Sequence, residues 1–517
     1  MAQTLDAVTV EAQWTRLISV ADEAAAALVR TSFSTLVRES HDFSCVLTDP
    51  AGRSLAQATK SIPSFIGTLP RSVRAFLNVY PLDQLSPGDV VITNDIYDGT
   101  GHLPDITVAK PIFRKGIIVG IAASTAHAPD IGGKIRSPEP REVFEEGFQI
   151  PIMKLMNAGQ PDETLIKLLR KNVRVPDQTI GDLWAQLSAL DLMERRTLRM
   201  MDDYGLDTLE ALAAEIHGRS EGAMRAAISA LPDGIYRESL QTDGLQLPVT
   251  LAMSISIKGD EIEVDLEGSS PQVDRAINVA YCYTYAMVMY GLKCAICPDV
   301  PNNEGSFNPI TVISPEGSIV NPKFPAAGGS RLLVGHYLPA LVMKCLGGIA
   351  PDAVIAACGS PLWGMNQSGT DEAGRPYANM LFYNGGMGAS SAGDGETCLS
   401  WPSNVSSTSI EVTEHISPLR VTQKRIVRGS GGAGHHSGGN GQQISFVSRA
   451  RDKVAVSFLA ERTRIPADGI AGGEAGKLGK VLINGEAVDP KSQYVIEPGT
   501  TIDLVTPGGG GWGKVGS

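Results

Sequence analysis

The sequence predicts an α+β fold in which mixed β layers are interrupted by a helical insertion and followed by a Gly-rich, β-containing C-terminal region. Three observations predict it. Stretches near 42–128 and 234–266 run in short apolar or alternating segments between Gly, Pro and Asp turn signals, the pattern of strands. Between them, apolar residues recur every three or four positions with charges in the gaps, the pattern of packed amphipathic helices. The last third holds repeated glycine runs, such as Gly508-Gly509-Gly510-Gly511, with short β segments between them. We therefore expect a β-rich region with an N-terminal helix over 1–150, a helical region over 151–232 and an α+β region over 233–517.

The elements follow in order. Residues 5–30 read as one long helix, because Val8, Trp14, Leu17, Ile18, Ala21, Ala25 and Leu28 trace a stripe of about 3.6-residue period. The turn Asp49-Pro50-Ala51-Gly52 separates strands at 43–48 and 53–57. Residues 88–95 form a strand running into a loop. A hairpin follows, with arms at 106–113 and 117–126 about the turn Arg114-Lys115-Gly116. Leucine-rich helices fall between Leu165 and Leu231. A second hairpin turns at Lys258-Gly259-Asp260. Apolar helices are expected over 280–295 and 338–346, and strands at 443–447 and 454–458.

Bulk properties exclude several classes. The formal net charge is −12 with no basic stripe, which argues against a nucleic-acid partner. No apolar run approaches the roughly 20 residues of a membrane span. The N-terminal stretch lacks the basic start and apolar core of a secretory signal. Seven cysteines, an odd number scattered from Cys45 to Cys398, suit reduced thiols, and we expect a cytoplasmic protein. Cys294 and Cys297 have knuckle spacing but no second pair nearby, so they read as buried thiols. The string Gly429-Ser430-Gly431-Gly432-Ala433-Gly434 has dinucleotide-loop spacing, yet His435-His436-Ser437-Gly438-Gly439 follows instead of a helix. Neither a Walker-type phosphate loop nor a Gly-x-Ser-x-Gly elbow occurs.

The most informative motif is a repeated tetrapeptide. His102-Leu103-Pro104-Asp105 precedes the first hairpin and His127-Ala128-Pro129-Asp130 ends it. With the turn near Gly116, Asp105 faces His127 across the pair, at about 4.5–5.5 Å between Cβ atoms. Two imidazoles and a carboxylate then meet at one strand end, a donor set for a divalent transition metal. Without Cys, the set suits zinc first, with manganese or iron as alternatives. Asp42, beside His41 and ahead of an earlier strand, is a further ligand if that strand adjoins the hairpin, which the residues alone leave open. Asp130 is a candidate to orient a ligand imidazole or to take a proton. Asp95 and Asp98 lie in the loop that runs into His102 and either shape its pocket or simply cap turns.

These residues resemble the hydantoinase B family. The resemblance rests on 39–45 around His41-Asp42, on Pro87-Gly88-Asp89 leading to Asn94-Asp95, on both tetrapeptides, and on Phe144-Glu145-Glu146-Gly147-Phe148. Further blocks at 270–273, 277–279, 321–331, 429–434 and 506–513 extend it almost end to end. The family includes B-type components of ATP-dependent hydantoinase and caprolactamase and the matching part of 5-oxoprolinase; acetone and acetophenone carboxylase subunits are relatives. It implies a metal held by Asp42, His102, Asp105 and His127. It implies a hydantoinase A-type partner that binds ATP and phosphorylates a small cyclic amide, which this subunit then hydrolyses. Asp22 on the first helix is a candidate base for the attacking water, or a solvated helical acid. Family members often carry a His where this chain reads Phe65, and His-His-Ala-Asp where it reads His127-Ala128-Pro129-Asp130. Both departures bear on substrate identity rather than on the metal site. The rival reading within the resemblance is a carboxylase subunit of the acetone type; a scaffold without chemistry of its own is a third.

Overall fold

Asp6 starts the first helix by accepting hydrogen bonds from the N–H groups of Val8 and Thr9, both at 3.0 Å. Helix α1 (Ala7–Thr31) buries Val10, Trp14, Leu17, Ala21 and Leu28, while Val8 falls off the stripe and is exposed. The computed structural model, which describes residues 6–134, 136–360 and 362–516, then places the short α2 (Thr35–Arg38) before the first sheet. That sheet contains β1 (Phe43–Thr48), β2 (Ser54–Gln57), β3 (Val90–Thr93), β4 (Asp105–Arg114), β5 (Ile117–His127), β6 (Met153–Asn157) and β7 (Gln160–Pro161). Its order is β2-β1-β5-β4-β3-β6-β7, antiparallel throughout. Among the helices, α3 (Pro63–Val79) lies between β2 and β3; α4 (Glu163–Asn172), α5 (Pro176–Asp203) and α6 (Glu210–Ser229) follow β7.

Both faces of this sheet are covered. Cys45, Leu47, Val108, Ala122 and Ala126 pack beneath α1 and α5. The alternate residues Val46, Ala109, Ile121 and Ala123 pack beneath Leu69, Val73 and Phe76 of α3. Strands buried on two sides lose the apolar–polar alternation of a solvated sheet, so they read as continuous apolar runs. Helix α3 lies inside the stretch expected to be β-rich. Pro63, Gly67 and Pro70 suppress its helical signal, and tertiary packing overrides it. Gly67 lets α7 (Tyr281–Ile296) approach, since a Cβ there would lie 2.9 Å from the Ala286 Cα.

The second sheet runs β11-β10-β9-β8, from β8 (Gly234–Thr242), β9 (Val249–Lys258), β10 (Glu261–Asp265) and β11 (Ile310–Ile313). Leu251, Met253, Ile255 and Ile257 of β9 face α7 and α9 (Leu338–Leu346), with α8 (Leu332–Gly335) preceding α9. Their neighbours Ala252, Ser254 and Ser256 are only half-buried, the clean alternation of a one-sided sheet.

The remaining strands are β12 (Trp363–Thr370), β13 (Pro376–Tyr383), β14 (Leu419–Ile426), β15 (Gln442–Ser448), β16 (Val454–Leu459), β17 (Lys480–Ile483), β18 (Glu486–Ala487), β19 (Gln493–Ile496) and β20 (Thr501–Val505), with α10 (Ile410–Ile416) ahead of β14. They form two sheets, β13-β12-β16-β19 and β14-β15-β20-β17-β18, around Trp363, Met365, Leu381, Phe446, Phe458 and Leu504. The fold is thus α+β with several separate sheets.

The Gly-rich segments, expected to be loops, are threads laid side by side. Gly438 donates to Gly432 O at 2.9 Å, Gly432 to Gly509 O at 2.8 Å and Gly439 to Met387 O at 2.8 Å. Glycine is required because backbones touch: a Cβ on Gly438 would sit 2.0 Å from the Gly509 carbonyl oxygen. Gly438→Ala is therefore expected to lower stability by about 2 kcal/mol or more through forced displacement of backbone. Gly222→Ala, on α6 with open space around it, is expected to raise stability by up to ~1 kcal/mol. Thermal unfolding of both variants checks the contrast; equal effects contradict it.

Candidate metal centre

Strand periodicity builds the site. Asp105 and His127 are directly paired in the β4–β5 hairpin, in the register the turn at Gly116 predicts. Both are odd-numbered positions, on the same face as Ala109 and Ile121, and so point toward the α3 side. Strand β1 pairs with β5 so that Phe43 meets Ala126, and the His127 N–H donates to Asp42 O at 3.1 Å. The strand before the first turn does adjoin the hairpin, and it brings Asp42 to the same sheet end. The His102 peptide returns over this end, its carbonyl accepting from the Asp105 N–H at 3.4 Å.

The side chains converge on one carboxylate oxygen. Asp105 Oδ1 lies 2.7 Å from His102 Nε2 and 2.9 Å from His127 Nδ1. The other oxygen, Oδ2, accepts from Thr100 Oγ1 at 2.7 Å and from Arg331 Nη2 at 2.9 Å. Asp42 Oδ2 lies 3.7 Å from His127 Nδ1. All four of Asp42, His102, Asp105 and His127 are buried. Ligand atoms of His102, Asp105 and His127 lie within 4.8 Å of one another, an arrangement that could hold a metal ion.

Burial drives the electrostatics. It holds the His102 imidazole well below its ordinary pKa, and the Arg331 charge adds to that. It works to raise Asp105, but the neighbouring His102 and Arg331 keep that carboxyl well below the usual carboxylate range. Asp42 is pushed up by burial, against the pull of His127. Burial and then the Arg331 charge lower Arg136 to about 10. His336 falls to about 3 for the same two reasons in the same order. Burial lifts Glu146 to about 7 although the Gly329 and Gly328 amides favour its charged form.

The walls come from every layer. A cavity of about 40 Å³ is lined by the four side chains above, by Ser64 and Phe65 at the start of α3, and by Arg136, Tyr283, Arg331, His336 and Phe382. Arg331 stacks its guanidinium over Tyr283, 4.3 Å from the ring centre. Gly101 makes room for that pair: its φ is +101°, and a Cβ would lie 3.1 Å from Arg331 Cδ. Gly329 ties the site together. Its carbonyl accepts from Arg136 Nε at 2.8 Å and faces His102 Nδ1 at 3.4 Å, while its N–H donates to Glu146 Oε1 at 2.5 Å. An outer pocket shares Arg136 and His127 with this cavity and opens past Asp130 and Arg174.

The other expected residues lie elsewhere. Asp22 accepts from Thr59 N at 2.7 Å and Thr59 Oγ1 at 2.8 Å. Asp130 pairs with Arg174 Nη1 at 2.6 Å and also takes its backbone N–H. Neither lines the inner cavity. Asp95 caps the loop, accepting from Tyr97 N at 2.7 Å and Asp98 N at 3.1 Å. That loop reaches the site through Thr100 and Gly101 instead. Cys294 and Cys297 end α7, and His435 and His436 pack with Trp512 among the glycine threads. Sequence reasoning missed Thr100, Arg136, Tyr283, Arg331 and His336. Only Thr100 is near enough in the chain to a candidate ligand, His102, for spacing to have flagged it.

Comparisons with known proteins place the whole chain in one family. A model of the Hydantoinase B/oxoprolinase family matches residues 6–515. The B component of a putative D-/L-hydantoinase from a Pseudomonas species is 29% identical over 540 residues, covering 99% of this chain and 90% of that one. The beta component of caprolactamase from Pseudomonas jessenii is 30% identical over 540 residues, covering 99% and 91%. The 5-oxoprolinase of Dictyostelium discoideum is 29% identical over 528 residues, covering 96% of this chain and 40% of that longer protein. The crystal structure of the ATP-dependent caprolactamase from Pseudomonas jessenii superposes with a TM-score of 0.89 at 28% identity, covering 99% and 92%. Nucleotide-free acetone carboxylase superposes with a TM-score of 0.87 at 17% identity, covering 98% and 75%, which is a likeness of fold alone.

Glu146 gives a test of the buried electrostatics. Its folded-state pKa of about 7 lies above the ordinary 4.5, so the folded protein holds the extra proton between those values. Its contribution to stability therefore falls as pH rises through that window, and the loss is complete above it. Glu146→Gln is expected to gain up to about 3 kcal/mol relative to the parent protein on going from about pH 5 to about pH 8. Unfolding temperatures of both proteins at the two pH values check this; an equal offset at both contradicts it.

Proposed function

Because the chain belongs to the hydantoinase B/oxoprolinase family, we propose that it is the metal-binding subunit of an ATP-dependent cyclic amide hydrolase, acting on a substrate phosphorylated by an A-type partner. One observation carries the metal reading. His102 Nδ1 faces the Gly329 carbonyl, which can only accept, and a metal-binding His102 would keep its ring proton there. In the neutral ring that burial favours, Nε2 then presents a lone pair to Asp105 Oδ1 across 2.7 Å. With Nε2 unprotonated, a cation rather than a hydrogen bond would hold two acceptors this close. His127 Nδ1 and Asp42 complete a set of two nitrogens and two carboxylates, which suits zinc, with manganese or iron as alternatives.

When bound, such a cation supplies Lewis acidity toward an amide-type oxygen or a water. The protein's own groups do the positioning. Thr100 and Arg331 hold Asp105 Oδ2, which turns Oδ1 inward. The Gly329 carbonyl would hold the His102 ring proton on Nδ1 and leave Nε2 for the cation. Tyr283, Phe65 and Phe382 keep bulk water from the small cavity. Relatives named as B and beta components of larger enzymes imply a partner chain, and the lack of a phosphate loop in this sequence fits ATP being bound there. Identity of 28–30% to hydantoinase and caprolactamase relatives, against 17% to acetone carboxylase, favours hydrolase over carboxylase.

The full chain, produced with its partner, is expected to carry about one metal ion by elemental analysis. His102→Ala and Asp105→Asn are expected to cut metal retention by about tenfold or more. ATP-dependent opening of hydantoin, 5-oxoproline or caprolactam should fall with the metal and need no bicarbonate. Asp22→Asn and Asp130→Asn should keep the metal; loss of turnover in either assigns it the proton-transfer role. A metal-free chain whose complex stays fully active after His102→Ala makes it a scaffold and overturns the proposal.

A further inference from the structure

Resting on that metal reading, we propose that Arg136, Arg331 and the amino end of α3 form an oxyanion subsite that takes the phosphoryl group of the activated substrate. Four observations meet in one cavity. Arg331 is 4% exposed, and its Nε and Nη1 have no hydrogen-bond partner among the described residues, although Nη2 is committed to Asp105. Leaving guanidinium N–H groups dry and unpaired is costly, so they await an acceptor. His336, at 6% exposure, lines the same cavity with its Nδ1 unpaired.

Helix α3 enters from the other side. Its 17 residues begin at Pro63, and no side chain caps that end. Ser64 and Phe65 of its first turn line the cavity, so the positive end of the helix dipole faces in. Pro63 carries no N–H and Phe65 donates to Ile62 O, so this end adds its dipole beside the unpaired guanidinium groups, and together they cradle an anion.

Charge and size then select the guest. Counting carboxylates and guanidiniums alone, Asp42 and Asp105 balance Arg136 and Arg331. A divalent cation leaves an excess of two positive charges in a buried space. A phosphoryl dianion cancels that excess; a carboxylate cancels half of it, and a neutral lactam none. A water needs roughly 10–15 Å³ of centre space, so about 40 Å³ admits three or four oxygen-sized atoms, the bulk of a phosphoryl group. Arg136 also borders the outer pocket. It is therefore placed to meet the anion first and pass it inward to Arg331.

The test uses the full chain loaded with zinc, with metal content measured on the same samples. Inorganic phosphate is titrated calorimetrically, with acetate as the carboxylate comparison. Phosphate is expected to bind at one site. Arg136→Gln and Arg331→Gln should each weaken it about tenfold or more, the loss of a charge-assisted hydrogen bond, and Arg136→Lys should recover part of the affinity. Arg331 touches Asp105, and Arg136 shares the Gly329 carbonyl with His102, so both variants are read only where zinc is retained. A zinc-bearing chain that ignores phosphate, or binds it equally in Arg136→Gln, overturns the subsite alone. Acetate binding as tightly as phosphate overturns the phosphoryl assignment. A chain that will not hold zinc overturns the metal reading, and the subsite falls with it.

Discussion

The pairing of Asp105 with His127 across β4 and β5 is the constraint on which the rest depends. A strand has a period of two, so a slip of one residue would send one of these side chains into the α1–α5 core. The covered faces of the sheet forbid that slip. Ala122 and Ala126 pack under α1 and α5, while Ile121 and Ala123 pack under α3. Register is therefore fixed by burial on both sides, and the β1–β5 pairing extends it to Asp42. The polar residues beneath the site, Thr107 and Thr125, satisfy each other at 2.7 Å, and Asp105 and His127 line the cavity.

Burying so much charge requires closure by distant segments. Asp105 would be an unpaired buried carboxylate if it stood alone, at a cost of several kcal/mol. Arg331 neutralises it from 226 residues away in the sequence. Arg331 itself depends on Tyr283 of α7 and on the absence of a side chain at Gly101. Arg136 is held by the Gly329 carbonyl, and its own carbonyl accepts from Asn366 of β12 at 3.0 Å. The hairpin supplies the donors, but the second sheet's helices and the C-terminal sandwich supply the walls. Side chains from several layers wall the cavity, and His127 and Arg136 also border the outer pocket.

This division decides what the sequence reveals. Everything local to the hairpin was legible: the turn at Gly116, the two tetrapeptides and the facing of Asp105 and His127. Asp42 needed either the family resemblance or the observed β1–β5 pairing, because strand adjacency leaves no mark on spacing. Helix α3 was hidden by Pro63 and Pro70, and its role at the cavity went with it. Arg136, Tyr283, Arg331 and His336 act through contacts that cross hundreds of residues, which no periodicity records. The glycine runs were visible, but whether they turn or pack against other backbone depends on which threads lie beside them. Asp22 and Asp130 carry no mark in the sequence of the partners that occupy them, and their carboxylates are taken up by Thr59 and Arg174.

Diffraction recorded above and below the absorption edge of the bound metal tests the central claim most directly. The account predicts one anomalous peak inside the cavity, within bonding distance of His102 Nε2, Asp105, His127 and Asp42, at about 2.0–2.2 Å for zinc. A fully ordered site with those four side chains in place and no peak among them, in crystals grown from metal-replete protein, would contradict it.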